Sequence, residues 1–143
     1  MLMQPWLANY FRAFMNIPFR KFIPGICWFF LVLFLICLPK TDMPDLHGWF
    51  HNIYGDKWVH AGMFGVMAWL FMLPIKKATN IVLPVQKKYF IRIVIAVVAW
   101  GYLTECIQIF VPGRSYDLLD WAADSTGAIL AYGWIRLKFR PNH

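Results

Sequence analysis

The stretch DKWVHAGMFGVMAWLFMLPIKK, residues 56–77, decides the fold. From Trp58 to Ile75 it is apolar apart from His60, and charged residues stand at both ends, Asp56-Lys57 before it and Lys76-Lys77 after it. A helix needs ~20 residues to cross the hydrocarbon core of a bilayer, with ~17 near the lower limit. Residues 58–75 fit that length. Working outward, three further stretches read the same way. Residues 22–38 are bounded by Lys21 and by Pro39-Lys40, and residues 89–111 and 118–135 follow. The last two carry charged residues, but these fall near the ends and the remainder is strongly apolar. The shorter stretches, 22–38, 58–75 and 118–135, are expected to stand nearly upright or to thin the bilayer locally.

Composition agrees. Of 143 residues, 60% are hydrophobic and 19% aromatic, more apolar surface than a soluble domain of this size carries. Only 15% are charged, and those are clustered rather than spread along helix faces. The net charge of +7 invites a nucleic-acid reading. Binders of nucleic acid, however, lay Lys and Arg along a face of a soluble domain. Here they sit at the ends of apolar runs, where membrane topology puts them, so no nucleic-acid partner is expected. Cys27, Cys37 and Cys106 lie inside apolar runs without a CxxC pair and read as packing residues.

The basic residues orient the chain. Arg12, Arg20 and Lys21 precede the first span. Lys76, Lys77, Lys87, Lys88 and Arg92 lie around the second connection, and Arg136, Lys138 and Arg140 follow the fourth span. That leaves Lys40, Lys57 and Arg114 for the opposite side, so the positive-inside rule places both termini in the cytoplasm. No small-x-small cleavage site follows the first span, so no cleaved signal peptide is expected. Residues 2–20 repeat Met3, Trp6, Leu7, Tyr10, Phe14 and Ile17 at helical spacing, with Asn9, Arg12, Asn16 and Arg20 opposite, the pattern of an interfacial helix. The expectation is an all-α membrane protein of four transmembrane helices. An amphipathic interfacial segment occupies 1–21, the membrane domain 22–138 and a cytoplasmic tail 139–143. The outer loop around His47 and His51 is rich in aromatic residues and is expected to lie on the headgroup layer.

Ionisable groups inside a span cost several kcal/mol unless paired or wet, and three clusters qualify. Asp56-Lys57-x-x-His60 opens the second span, with Asp56 and His60 one turn apart so that the carboxylate can orient the imidazole, or can cap the helix. Glu105-x-x-Gln108 lies near the outer end of the third, both on one face. Arg114-x-x-Asp117-x-x-Asp120-x-x-x-Asp124 leads into the fourth, with Asp117 as a candidate cap and Asp120 and Asp124 sharing a face. Ala123, Gly127 and Ala131 continue nearby as small residues that let a neighbouring helix approach. At ~1.5 Å rise per residue, Glu105 and Asp124 both fall roughly 10 Å from the outer face, with His60 shallower. The expectation is a small polar cavity opening outward, lined by His60, Glu105, Gln108, Asp120 and Asp124, with Lys57 and Arg114 at its rim. Carboxylates so close together cannot all be ionised without a proton or a cation among them.

These motifs resemble the VanZ-like family of bacterial membrane proteins. The resemblance rests on Asp56-Lys57-x-x-His60, on Glu105-x-x-Gln108 with Val111-Pro112-Gly113-Arg114, and on Asp120-x-x-x-Asp124-x-x-Gly127. It covers about residues 28–135. It implies a multi-pass protein of the bacterial cytoplasmic membrane, linked through the family's name to teicoplanin resistance. The chain departs from the family pattern at Asp124, where Asn is usual, and at Thr104, where an acid often stands; the extra acid makes the cavity more anionic.

Three functions compete. In the first, the cavity binds or processes a lipid-linked or cell-envelope headgroup in the outer leaflet. His60, Glu105, Asp120 and Asp124 are then catalytic, Lys57, Gln108 and Arg114 hold the substrate, and Asp56 and Asp117 support them. In the second, Glu105 and Asp124 relay protons in a small transporter, although the inner halves of the spans lack ionisable residues beyond Arg92. In the third, the polar groups only hold short helices together. Imidazole with carboxylates suits zinc or manganese, yet no HExxH-type motif accompanies them, so no metal is expected; were one held, its ligands would be His60, Glu105 and Asp120.

Overall fold

A computed structural model of the chain describes residues 17–39, 54–78 and 83–138. All regular structure among them is helical. A 3-10 turn, Phe19–Phe22, runs into α1, Ile23–Cys37; then come α2, Gly55–Lys76, α3, Leu83–Gln108, and α4, Leu118–Lys138. Among the described residues, three segments are long and apolar enough to cross a membrane: Phe19–Cys37, α2 and α3. Helix α4 matches them in length, but with Asp120, Asp124, Arg136 and Lys138 among its 21 residues it does not qualify by composition. The expected interfacial helix, the loop bearing His47 and His51, and the tail at 139–143 lie almost wholly outside the described residues.

The helices outrun the apolar stretches that announce them. Helix α3 starts at Leu83 rather than Tyr89, because Lys87 and Lys88 continue its backbone ladder and Pro84 sits in the first turn, where its missing N–H loses nothing. At the other end α3 stops at Gln108 rather than Val111. Phe110 N–H and Val111 N–H bond to carbonyls only three residues back, and Arg114 N–H closes a turn on the Val111 carbonyl. With Pro112 second and Gly113 third at φ 74°, that is a type II turn, whose third position calls for glycine.

Contacts along the helices set the topology. Lys57, His60 and the backbone at Ala61 meet Asp120, Asp124 and Gly127 in the same order, so α2 and α4 run parallel. Trp121 Nε1 donates to the Val98 carbonyl at 3.0 Å while Asp117 N–H reaches Glu105, so α3 runs against α4. Trp28 Nε1 donates to the Met63 carbonyl and Gly25 faces Phe71, so α1 runs against α2. One end of the bundle thus gathers the C-terminal ends of α1 and α3 with the N-terminal ends of α2 and α4. The α2–α4 pair is the most extensive contact, and it closes that tightly because glycine meets backbone there: the carbonyl of Ala61 lies where a side chain at 127 would begin. Val32, Ile36, Phe64, Met67, Met72 and Ile135 fill the interior, whereas Phe30, Phe34, Ile95, Leu130 and Trp134 point outward. An outer surface of that kind is disfavoured in water and accepted by lipid.

Candidate functional site

The polar residues gather at the end where α2 and α4 begin. Two helix N-termini, each with its positive dipole end, therefore face the carboxylates of Asp56, Asp117 and Asp120. Asp117 immediately precedes α4, and its Oδ1 accepts the Leu119 N–H at 2.8 Å, the capping role its position announced. Asp56 does not cap α2. That place belongs to Tyr54, in the left-handed conformation (φ 54°, ψ 44°), whose carbonyl accepts the Lys57 N–H. Asp56 lies one residue inside the helix instead.

Lys57 is the hub of an outer layer. Its Nζ lies 2.6 Å from Asp117 Oδ2, 2.6 Å from Asp120 Oδ1 and 3.1 Å from Asp56 Oδ2. Rather than standing exposed at a rim, this ammonium joins the starts of α2 and α4. It also holds the Asp117 carboxyl, which lies outside the helices, below its ordinary value of 3.8. A depressed carboxyl contributes stability that is present above its unfolded value and lost as pH falls through the native one. Asp117→Asn should therefore melt below wild type at neutral pH, with the gap closing below about pH 4. Thermal melts across that range check this; a gap independent of pH would assign the loss to the cap instead of the charge.

Beneath this layer lies a buried centre built by three helices. His60 from α2 places Nδ1 3.0 Å from Asp124 Oδ1 of α4, and its Nε2 lies 3.9 Å from Asp120 Oδ2. Glu105 of α3 uses Oε2 to accept the Asp117 N–H at 2.9 Å, which ties the start of α4 to the end of α3. Glu105 and Asp124 have no solvent-exposed surface and His60 almost none. One ligand atom each from His60, Glu105 and Asp124 falls within 4.8 Å of the other two. Among the described residues, Glu105 Oε1, Asp124 Oδ2 and Gln108 Nε2 are buried without a hydrogen-bond partner. Bare oxygens on buried carboxylates are costly, so each calls for an explanation.

The expected set is thus partly united. His60, Glu105, Asp120 and Asp124 meet under the Lys57–Asp117 layer, with His60, Glu105 and Asp124 buried. Gln108 is buried one turn beyond Glu105. Arg114, half-buried in the α3–α4 connection, turns its Nε to the Leu38 carbonyl at the end of α1, at 3.4 Å. Two positions escaped the sequence analysis. Gly101 makes room for Asp124: a Cβ there would lie 3.1 Å from Asp124 Cβ and Oδ2. Gly65 packs on the Gly127 carbonyl at a similar distance. The sequence signal was a glycine inside an apolar helix, which marks close packing without naming the partner. Outside the centre, Val94, Val98, Tyr102, Leu103 and Trp121 line a groove of about 530 Å³ between α3 and α4. Its Tyr102 end lies one helical turn from Glu105, and Tyr102 stacks edge-on with both Tyr116 and Trp121.

Comparison with curated proteins found no match, and neither did comparison with solved structures. The sequence model of one family does match, over residues 9–139, a range that takes in every helix and every residue of the centre. With its apolar helices and this polar end, the chain belongs to the VanZ/LLP1 family.

Proposed function

We propose that this protein is a multi-pass protein of the bacterial cytoplasmic membrane that binds or processes the anionic headgroup of a lipid-linked cell-envelope substrate at its outer face. In this reading all four helices span and both termini are cytoplasmic. Helix α4 is carried across because its two acids turn inward onto α2 and α3. The positive-inside distribution of Lys and Arg supports the orientation.

The observation that carries the proposal is the pair of fully buried carboxylates, Glu105 and Asp124, each with one oxygen unpartnered, beside His60. A charged network is an expensive way to hold helices together, since interhelical hydrogen bonds average ~0.6 kcal/mol. Ionisable groups kept at such cost are a mark of function. His60 and Glu105 act as the acid–base pair, and Asp120 and Asp124 orient the imidazole from its two nitrogens. Arg114 and Lys57 meet the headgroup, Lys57 by exchanging one of its three carboxylate partners for phosphate. The lipid chain lies in the apolar groove beside Tyr102 and Trp121. Altered handling of such a substrate would change susceptibility to glycopeptides such as teicoplanin.

Native mass spectrometry of the protein in mild detergent tests this. Wild type should carry a discrete lipid-phosphate adduct, which Arg114→Ala loses while remaining folded and which Glu105→Gln retains. Bulk lipid alone in every sample, with both variants markedly less stable, would overturn the proposal and leave a purely structural network.

A further inference from the structure

We infer that His60, Glu105 and Asp124 form a binding site for one divalent metal ion of the zinc or manganese class. The inference rests on reading the same centre as the one that handles substrate, and it replaces free acid–base work by His60 and Glu105 with an ion that these two residues and Asp124 hold.

Three observations converge. The donors come from three different helices, yet one nitrogen and two oxygens lie within 4.8 Å of one another. Bonds of ~2.0–2.2 Å put neighbouring ligands of a tetrahedral ion about 3.4 Å apart, so side-chain shifts of about 1 Å close the set. The His60 Nδ1 to Asp124 Oδ1 separation, 3.0 Å, is a hydrogen-bond distance, so binding exchanges that bond for a bond from Nδ1 to the ion.

The second observation is independent of spacing. Glu105 and Asp124 have each committed one oxygen, to the Asp117 N–H and to His60, and each holds a second oxygen buried without a donor. A fully buried carboxylate oxygen with no hydrogen bond is what a cation satisfies. The third is charge. The lysine of this site is engaged by Asp56, Asp117 and Asp120. A divalent ion would balance Glu105 and Asp124 with a neutral imidazole completing the set, leaving no net charge in the bilayer interior.

Asp120 then takes a role beyond the metal. Its Oδ2 lies 3.9 Å from His60 Nε2, too far for a hydrogen bond as it stands; with Nδ1 on the ion, a shift of about 1 Å lets it accept the other ring N–H and fix the tautomer, as carboxylates behind ligating histidines do. The structure therefore selects Asp124 over Asp120 as ligand. Three protein ligands leave a position open for water or a substrate oxygen, the arrangement of catalytic rather than structural sites.

The test uses the full chain in detergent, stripped with a chelator and titrated with Zn²⁺, Mn²⁺ and the spectroscopic probe Co²⁺. Wild type should take up one ion per chain, show the visible absorption of low-symmetry Co²⁺ and gain thermal stability. Glu105→Gln and Asp124→Asn should lose the absorption. Asp120→Asn should keep it and weaken binding about 10–100-fold. No uptake by wild type, or uptake unchanged in Asp124→Asn and Glu105→Gln, overturns the site. The lipid adduct is followed in the same metal-free samples. An adduct that persists there and still disappears in Arg114→Ala, with no metal taken up by any sample, refutes the ion alone. Metal uptake without any adduct refutes the headgroup reading alone.

Discussion

Gly127→Ala should unseat α4 from α2 and take the polar centre with it. A Cβ at 127 would lie 2.0 Å from the Ala61 carbonyl oxygen, 2.8 Å from its carbon and 3.0 Å from its Cα. These are backbone atoms of a helix, so no rotamer change relieves the overlap. Carbon–oxygen contacts of this kind ordinarily sit at ~3.3–3.6 Å, so the helices must part by more than about 1 Å. The His60–Asp124 contact and the Lys57–Asp120 ion pair cross that same interface on the N-terminal side of Gly127, and both would stretch with it. Overpacking a tight core typically costs ~1–3 kcal/mol and occasionally more; with two backbones in contact the loss should be at least about 3 kcal/mol. Thermal melts in detergent measure it. Gly133→Ala is the control, the same change in the same helix with nothing within 4 Å of the new methyl. It should be neutral or slightly stabilising, since Ala outranks Gly in a helix by ~1 kcal/mol. Equal melts for the two variants would mean that α2 and α4 do not touch at Gly127.

That contact also shows what was legible in the sequence. Asp120, Asp124, Gly127 and Ala131 announced an inward face of α4 by their spacing, and His60 and Glu105 stood out because ionisable groups in apolar runs need a reason. Pairing between helices was not legible, since it depends on register. Nothing near Lys57 says that its ammonium reaches across to Asp117 and Asp120; a lysine at a helix start reads equally well as one turned to the headgroups. Gly101 is required by a carboxylate on a different helix, so its own surroundings in sequence carry no sign of it. Asp56 read equally well as a cap or as the carboxylate that orients His60, but Tyr54 in the left-handed region turns the chain into α2, Asp56 pairs with Lys57, and Asp124 meets the imidazole. Helix ends escaped for a related reason: apolar runs report the hydrocarbon-facing part, whereas the backbone ladder of α3 extends through Lys87 and Lys88.

Lys57→Met should be nearly as damaging, through charge rather than shape. The ammonium holds three carboxylates at 2.6, 2.6 and 3.1 Å, and the Lys57 and Asp120 side chains are 18% and 14% exposed. Methionine keeps the length and packing of the stem but leaves Asp120 beside Asp124 and Glu105 with no opposing cation from α2. Breaking a buried pair by removing one partner costs ~3–5 kcal/mol. The partial exposure of this network places the expected loss near about 3 kcal/mol. Adding Asp120→Asn should restore part of it, because the uncompensated charge goes with the carboxylate; a coupling of ~1 kcal/mol or more between the two changes is expected. Additive effects, with Lys57→Met alone within ~0.5 kcal/mol of wild type, would reduce the network to an exposed pair of little worth. The double variant also separates the two roles of Lys57. If the ammonium only joins α2 to α4, restored stability should bring back the lipid-phosphate adduct; if it also grips the headgroup, the stable double variant should still lack it. The headgroup proposal requires the second outcome.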